Sequence, residues 1–241
     1  MNGKIKSKIK NLVGNFYYSL FKKHQPTGNR ALIYHAFGCK LEHDTYGISI
    51  DLNDFRKHIN YLSQNYDFTH IGHESPKLTI SITIDDGYKD SIDGIEILAE
   101  KNIPFTIYIT SSLINKNNYM NSNDIYNISL INNCVIGAHG HNHLRLAEHD
   151  PQIQKTELKK SKHIIENIIG KSINTFSYPH GSFNTNTIEI AKQLGYQSAA
   201  SSIKGFNNKS TNKFMLKRSE IIASDNISEL SKKINGFYDF Y

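Results

Sequence analysis

The chain has 241 residues, a formal net charge of +6 and two cysteines, Cys39 and Cys134, that show no motif spacing. This length suits a single α/β domain whose core needs no disulfides, and the few cysteines favour a reducing compartment. The lysines are scattered and the aromatic residues do not alternate with arginines, so nucleic-acid binding is not expected, whereas the basic balance suits an acidic polysaccharide or an anionic membrane surface.

Residues 4–23 are predicted to form an amphipathic helix, because their apolar side chains recur at three- and four-residue steps. Such a helix either packs on its own protein or lies on a membrane surface with its lysines facing anionic lipid. We therefore assign residues 1–27 to a helical extension and residues 28–241 to a catalytic domain. Without a run of about 18 apolar residues or a secretory signal, we expect a cytoplasmic protein, peripheral on the cytoplasmic membrane face if the helix binds lipid.

Seven apolar, strand-like segments alternate with helical segments along the rest of the chain. The predicted strands cover residues 31–37, 78–84, 104–110, 134–140, 175–179, 197–202 and 214–221. The predicted helices cover residues 51–65, 90–101, 121–132, 151–169, 184–194 and 228–234, the first capped by Asp51 and the fifth by Asn184. This alternation is typical of parallel βαβ units in one domain, since no linker rich in Gly, Pro or Ser divides the chain.

Two adjacent acids, Asp85 and Asp86, follow the second predicted strand and precede Gly87. Neighbouring strand residues point to opposite faces, so the two carboxylates cannot share one role by symmetry. Asp-Gly is a common turn signal, and this segment on its own favours a solvated turn. The alternative is a strand end at which the chain turns and both side chains reach one site.

Three histidines, His139, His141 and His143, lie within five residues at the end of the fourth predicted strand. If the chain curls there, His139 and His143 can converge on one ion. A catalytic zinc site needs three protein ligands and an open position, which an acid from Asp85 or Asp86 completes. Such clusters also arise by chance in a chain with 12 histidines. Both motifs, however, fall at carboxyl ends of predicted parallel strands, where the catalytic residues of barrels gather.

The segment FSYPHGSFN, residues 176–184, ends the fifth predicted strand. Pro179 fixes its φ angle and Gly181 permits a sharp turn, so together they can aim the N–H of His180 into a site, where it could stabilise an oxyanion. Without the other two motifs, a plain strand-ending turn explains the same residues.

Taken in this order, the three segments resemble the motifs of the polysaccharide deacetylase family, the NodB-homology domain. Residues 83–87 (TIDDG) match its T-F-D-D-G motif, and residues 139–143 (HGHNH) match its H-[ST]-x-x-H motif. Residues 178–181 (YPHG) match a motif of proline, an aromatic residue and glycine. The likeness covers about residues 30–235.

The resemblance implies a distorted (β/α)7 barrel and a metal-dependent hydrolase. By this likeness Asp86, His139 and His143 hold zinc, or else cobalt or nickel, and Asp85 is the general base that activates metal-bound water. The water attacks the carbonyl carbon of an N-acyl group on a sugar, while the metal and the His180 N–H stabilise the oxyanion. The implied substrate is an N-acetylated carbohydrate such as a cell-surface polysaccharide.

One departure from the family pattern concerns the partner of the base. The family often has an arginine two residues before the proline, where it orients the base, and here that position is Ser177. Arg218, in the last predicted strand, either supplies the missing charge to Asp85 or makes an ordinary surface salt bridge.

A second departure concerns the general acid. Many members carry it in a C-terminal L-x-H motif, but the corresponding residues here read LKR. Some relatives with a permuted arrangement carry it at an N-terminal strand that ends in Tyr-His. The segment LIYHAFG therefore makes His35 the candidate acid, with His180 and His141 as alternatives.

The sequence thus predicts an enzyme that hydrolyses a carbon–nitrogen bond and removes an N-acetyl group from a carbohydrate. Two alternatives stay open. One is the same chemistry on a lipid-linked sugar, as a deacylase or deformylase. The other is a catalytically inactive barrel that only binds glycans.

Overall fold

The computed structural model of the protein describes residues 26–39 and 41–239, so the predicted helix over residues 4–23 lies outside the described residues. The described chain forms a parallel sheet surrounded by helices. The strands are β1 (Gly28–Tyr34), β2 (Asp67–Phe68), β3 (Leu78–Ile84), β4 (Phe105–Ile109), β5 (Cys134–Ala138), β6 (Thr175–Ser177), β7 (Ser198–Ala200) and β8 (Arg218–Glu220). The helices are α1 (Leu52–Asn65), α2 (Ser91–Glu100), α3 (Ser122–Ile128), α4 (Pro151–Ile169), α5 (Thr185–Gln193) and α6 (Ile227–Ile234).

The sheet curls into a nearly closed barrel. Its strand order is β7-β6-β5-β4-β3-β1-β8, and the short strand β2 pairs with β3 outside this path. The two ends meet just before β8, where the Leu216 N–H donates to the Ala199 carbonyl at 3.0 Å and the Leu216 carbonyl accepts from the Ser201 N–H at 2.8 Å. The seven predicted strands correspond to the seven barrel strands, which confirms the distorted (β/α)7 barrel.

The helices follow the sequence pattern with one clear exception. The Asp51 side chain caps α1 by accepting from the Asn53 N–H at 2.8 Å, and Asn184 caps α5 as predicted. The predicted helix over residues 121–132 was too long, because α3 ends at Ile128 and residues 129–133 form a turn that leaves Leu130 57% exposed. Within the described part of the chain, none of the helices combines the length and the hydropathy that a bilayer crossing requires.

The core lies between the barrel and its helices. Strand β1 is buried along its whole length, as expected for a parallel strand that is covered on both faces. Helix α1 buries Phe55, Ile59 and Leu62 in the same core, each 0% exposed, and each such side chain contributes about 1.5–3 kcal/mol on burial. This packing fixes the loops that follow the strands, and because the strands are parallel, those loops meet at one end of the barrel.

Candidate active site

The two adjacent acids lie in a sharp turn after β3. Asp86 has φ 73° and Gly87 has φ 84°, both in the left-handed region, and a Cβ on Gly87 would lie 3.0 Å from the Cδ1 atom of Ile109. A non-glycine residue rarely adopts this conformation. The turn brings both carboxylates to one cleft, and they are only 3% and 7% exposed. The solvated-turn interpretation is therefore wrong.

Asp86, His139 and His143 converge as the resemblance implies. The Asp86 Oδ1 atom lies 3.3 Å from the His139 Nε2 atom and 3.2 Å from the His143 Nε2 atom, and the ligand atoms of the three residues all lie within 4.8 Å of one another. The Asp86 Oδ1 atom is buried and has no hydrogen-bond partner among the described residues. An unpartnered buried acceptor facing two imidazole nitrogens fits a bound divalent cation.

A backbone hydrogen bond positions the His139 imidazole, and the backbone conformation of His143 positions the other. The His139 Nδ1–H donates to the Ser177 carbonyl at 2.8 Å, which leaves its Nε2 atom free to face Asp86. Metal-bound histidines are commonly oriented in this way. His143, four residues after His139, has φ 57°. This left-handed backbone conformation turns the chain so that the His143 ring also lies in the cleft.

Glu157 supports the histidine loop from helix α4. Its Oε2 atom accepts from the His141 N–H at 3.0 Å and from the Asn142 N–H at 2.7 Å, and its Oε1 atom accepts from the Asn142 side chain at 2.7 Å. The residue is 3% exposed. The sequence pattern did not single out Glu157, although an acid beside Leu158 on the apolar face of a helix was a usable signal. His141 itself turns its Nδ1 atom to Ser111, 2.8 Å away, outside the cleft.

Asp85 forms a buried ion pair with Arg218 of strand β8. The two guanidinium nitrogens lie 2.7 Å and 2.8 Å from the two carboxylate oxygens. The Ser177 hydroxyl bridges the pair, 2.6 Å from Arg218 and 3.0 Å from the Asp85 Oδ2 atom. Arg218 is 1% exposed, so it does not make an ordinary surface salt bridge. Its remaining donors bind the Thr83 hydroxyl and the Ser201 carbonyl.

The charges around the acids favour their ionised forms. Burial alone would raise the pKa of Asp85, but Arg218 and His139 outweigh it and the pKa lies below its usual value. Burial likewise opposes ionisation of Asp86, yet the imidazoles of His139 and His143 bring its pKa well below the usual range. The pKa of His139 is raised, because Asp85 and Asp86 outweigh the effect of burial. The centre thus carries a field that attracts positive charge.

Both remaining candidate histidines line the same cleft, which has a volume of about 260 Å³. The His35 Nε2 atom lies 3.9 Å from the Glu220 Oε1 atom, and the His35 Nδ1 atom is buried without a partner among the described residues. The His180 ring centroid lies 4.4 Å from that of His143. Burial, His143 and Arg145 together lower the pKa of His180.

Several cleft residues had no signal in the sequence, because none of them belongs to a motif. They are His43, Asp44, Tyr46, Tyr88, Tyr119, Ser202 and Glu220. They close the sides of the cleft around the two carboxylates and the histidines.

These features define a parallel barrel with a carboxylate–histidine centre at the carboxyl ends of its strands and a buried Asp–Arg pair beside that centre. The family model of the polysaccharide deacetylases matches residues 72–199, just over half of the chain. The chain belongs to this family.

Individual relatives agree with this assignment. YxkH of Bacillus subtilis (strain 168), whose name places it among the polysaccharide deacetylases, is 26% identical over 140 residues, which cover 58% of this chain and 50% of YxkH. The chain thus spans about half the length of that relative.

Solved structures show the same fold. BA0330 of Bacillus anthracis is 21% identical with a TM-score of 0.76, and the match covers 86% of this chain and 69% of BA0330. The Streptococcus pyogenes deacetylase PplD, determined in complex with acetate, is 19% identical with a TM-score of 0.75, and the match covers 87% of this chain and 99% of PplD.

Proposed function

We propose that the protein is a metal-dependent hydrolase that removes an N-acetyl group from a carbohydrate. The observation that carries the proposal is the position of Asp85, whose Oδ2 atom lies 3.8 Å from the His139 Nε2 atom, beside the Asp86–His139–His143 centre. Membership of the polysaccharide deacetylase family supports the same reaction.

Asp86, His139 and His143 are the residues that would hold the metal. Two imidazole nitrogens and one carboxylate oxygen suit zinc, and they leave a position open, as catalytic zinc sites do. Cobalt and nickel accept the same donors. When bound, the ion supplies a Lewis acid that polarises the acyl carbonyl and lowers the pKa of water.

Asp85 is the proposed general base. Its lowered pKa keeps it ionised at neutral pH, and Arg218 and Ser177 fix the plane of its carboxylate. The oxygen of the attacking water bonds to the carbonyl carbon of the acyl group as Asp85 accepts the water's proton. The carbon–nitrogen bond then breaks, which releases acetate and an amine that must gain a proton.

His35 is the proposed donor of that proton. It lines the cleft, and its Nε2 atom lies 3.9 Å from the Glu220 Oε1 atom. His180 is less suited to this step, because its lowered pKa favours the neutral ring. The backbone N–H of His180 is instead our proposed donor to the oxyanion, at a turn where Pro179 precedes it and its own φ is 57°.

The test is the release of small acids from a substrate panel. The purified full chain is incubated with N-acetylated oligosaccharides, N-formylated sugars and lipid-linked N-acetylated sugars, and acetate and formate are measured. Acetate release by the wild type, and its near-complete loss in Asp85→Asn, would support the proposal. Formate as the preferred product would make the protein a deformylase. Glycan binding without any product would leave an inactive binding barrel.

A further inference from the structure

The loop that follows β1 carries an exposed aromatic ring at the rim of the cleft. Tyr46 is 59% exposed, the highest value among the large hydrophobic side chains of the described chain. It lines the same cleft as Asp85, Asp86 and His139. An aromatic face left in water next to a reaction centre is a candidate contact for a ligand.

The ring is held in place although it is exposed. The Tyr46 hydroxyl donates to the Glu220 Oε1 atom at 3.2 Å. The Asp44 Oδ1 atom accepts from the Tyr46 N–H at 3.0 Å and from the Gly47 N–H at 2.6 Å, and the Gly47 carbonyl accepts from the Ala223 N–H at 2.7 Å. These hydrogen bonds connect Tyr46 and its neighbour to β8 and to the segment after it. Because the ring is already held, a ligand that stacks on it causes little loss of side-chain entropy.

Other rings anchor the same loop to the wall of the cleft. The His43 Nε2 atom lies 2.9 Å from the Tyr88 hydroxyl, and these two rings stack with centroids 6.2 Å apart. Tyr88 in turn stacks on Tyr119 at 4.9 Å. These stacked rings hold the loop against the wall of the cleft. The Tyr46 ring is not part of the stack and stays exposed.

The size of the cleft limits how much of a substrate it can enclose. The carboxylates of Asp85 and Asp86 are nearly fully buried, and the cavity of about 260 Å³ is smaller than the roughly 300–1,000 Å³ of pockets for drug-sized ligands. A cleft of this size can hold an acyl group and the sugar that carries it. A neighbouring sugar unit would then extend past the cleft, beside the exposed ring of Tyr46 and the carboxylate of Glu220.

The chemistry of the rim matches a sugar ring. A pyranose presents C–H bonds on its faces and hydroxyl groups along its edge, so it pairs with a flat apolar surface bordered by hydrogen-bond acceptors. Tyr46 offers the surface, and the partly exposed Glu220 carboxylate offers the acceptor. Tyrosine combines an apolar body and a polar tip in this way.

We propose that Tyr46 is a stacking platform for the sugar unit next to the one that carries the acyl group, so that the protein acts on oligomers in preference to single sugars. This inference rests on the proposed deacetylase function for its kinetic test, but not for its binding test.

The test uses N-acetylglucosamine and its β-1,4-linked dimer to pentamer as probes. Tyr46→Ala should raise KM for the tetramer about three- to tenfold above that of Tyr46→Phe, as expected for one aromatic stacking contact, and should raise KM for the monomer by less. Tyr46→Phe should keep most of the affinity, because the ring remains. Tyr126→Ala is the matched control, since Tyr126 is 46% exposed on α3 and lies outside the cleft.

Calorimetric binding of the tetramer separates the possible failures. A Tyr46-dependent Kd without turnover would leave the platform intact and reject the deacetylase. Turnover with equal KM and equal Kd in wild type and Tyr46→Ala would reject the platform alone. Equal losses on monomer and tetramer would also overturn the platform, and an absence of both binding and turnover in the wild type would overturn both proposals.

Discussion

The guanidinium of Arg218 binds both carboxylate oxygens of Asp85, at 2.7 Å and 2.8 Å. One partner comes from β8 and the other from the turn after β3, and both are almost fully buried. A buried carboxylate needs a partner of this kind to stay ionised. Strand β8 therefore supplies the residue that fixes the orientation of the proposed base.

Removing the arginine should destabilise the protein. Arg218→Met leaves the Asp85 charge buried and unpaired, which we expect to cost about 3–5 kcal/mol of unfolding free energy, measured by urea denaturation. The double variant Asp85→Asn/Arg218→Met should recover part of this loss, because it also removes the buried charge. Equal losses in the single and double variants would show that the unpaired Asp85 charge is not the source of the cost.

Acid should remove stability through the two carboxylates. A lowered folded pKa gives stability that is present above the unfolded value, about 3.9, and is lost as the pH falls through the folded pKa. Asp85 and Asp86 both have lowered values, so the unfolding free energy should fall with pH below about 4. Asp86→Asn should reduce this slope in denaturation curves between pH 2 and 7, and an unchanged slope would contradict the assignment.

Most of the fold could be predicted because its signals are local. Strands β3, β4 and β5 are short, largely apolar runs, and helix α4, Pro151–Ile169, begins and ends at the predicted positions. Strand β2 was missed, since two residues are too few to show a period. Helix α3 was overextended, because apolar residues continue into the turn that follows it.

The site was predictable only where its residues fall in motifs. The positions of His139, His143 and the two adjacent acids at the ends of parallel strands predict that they meet, and the family resemblance chooses Asp86 as the third ligand. The pairing of Tyr46 with Glu220 joins positions 174 residues apart, and nothing local marks either residue. Whether Arg218 reaches Asp85 also depended on the pairing of β8 with β1, so only the structure could decide between a buried partner and a surface ion pair.

His35 should matter for turnover but not for metal binding. If it protonates the leaving amine, His35→Ala lowers kcat by roughly two to four orders of magnitude, the range of general acid–base catalysis, while zinc content stays the same. His180→Ala is the matched control in the same cleft, and it keeps the backbone N–H that we assign to the oxyanion. Wild-type kcat for His35→Ala across pH 6–9 would move the acid to another residue.

The N-terminal segment should bind anionic membranes if its predicted helix is interfacial. Residues 4–23 combine an apolar stripe with six lysines, and each lysine near an anionic surface is worth about 1 kcal/mol. We expect the full chain to co-sediment with anionic vesicles at low salt, and a chain that starts at Gly28 to stay in the supernatant. Equal behaviour of the two proteins would reject membrane contact through this segment.

The dependence of deacetylation on metal tests the central proposal most directly. Acetate release from the N-acetylglucosamine tetramer is measured on the purified chain, after chelation, and after zinc is added back, with His143→Ala in parallel. The proposal predicts activity in the untreated wild type, loss on chelation, recovery with zinc, and no recovery in His143→Ala, which lacks one of three ligands. Undiminished acetate release after chelation, or wild-type activity in His143→Ala, would contradict it.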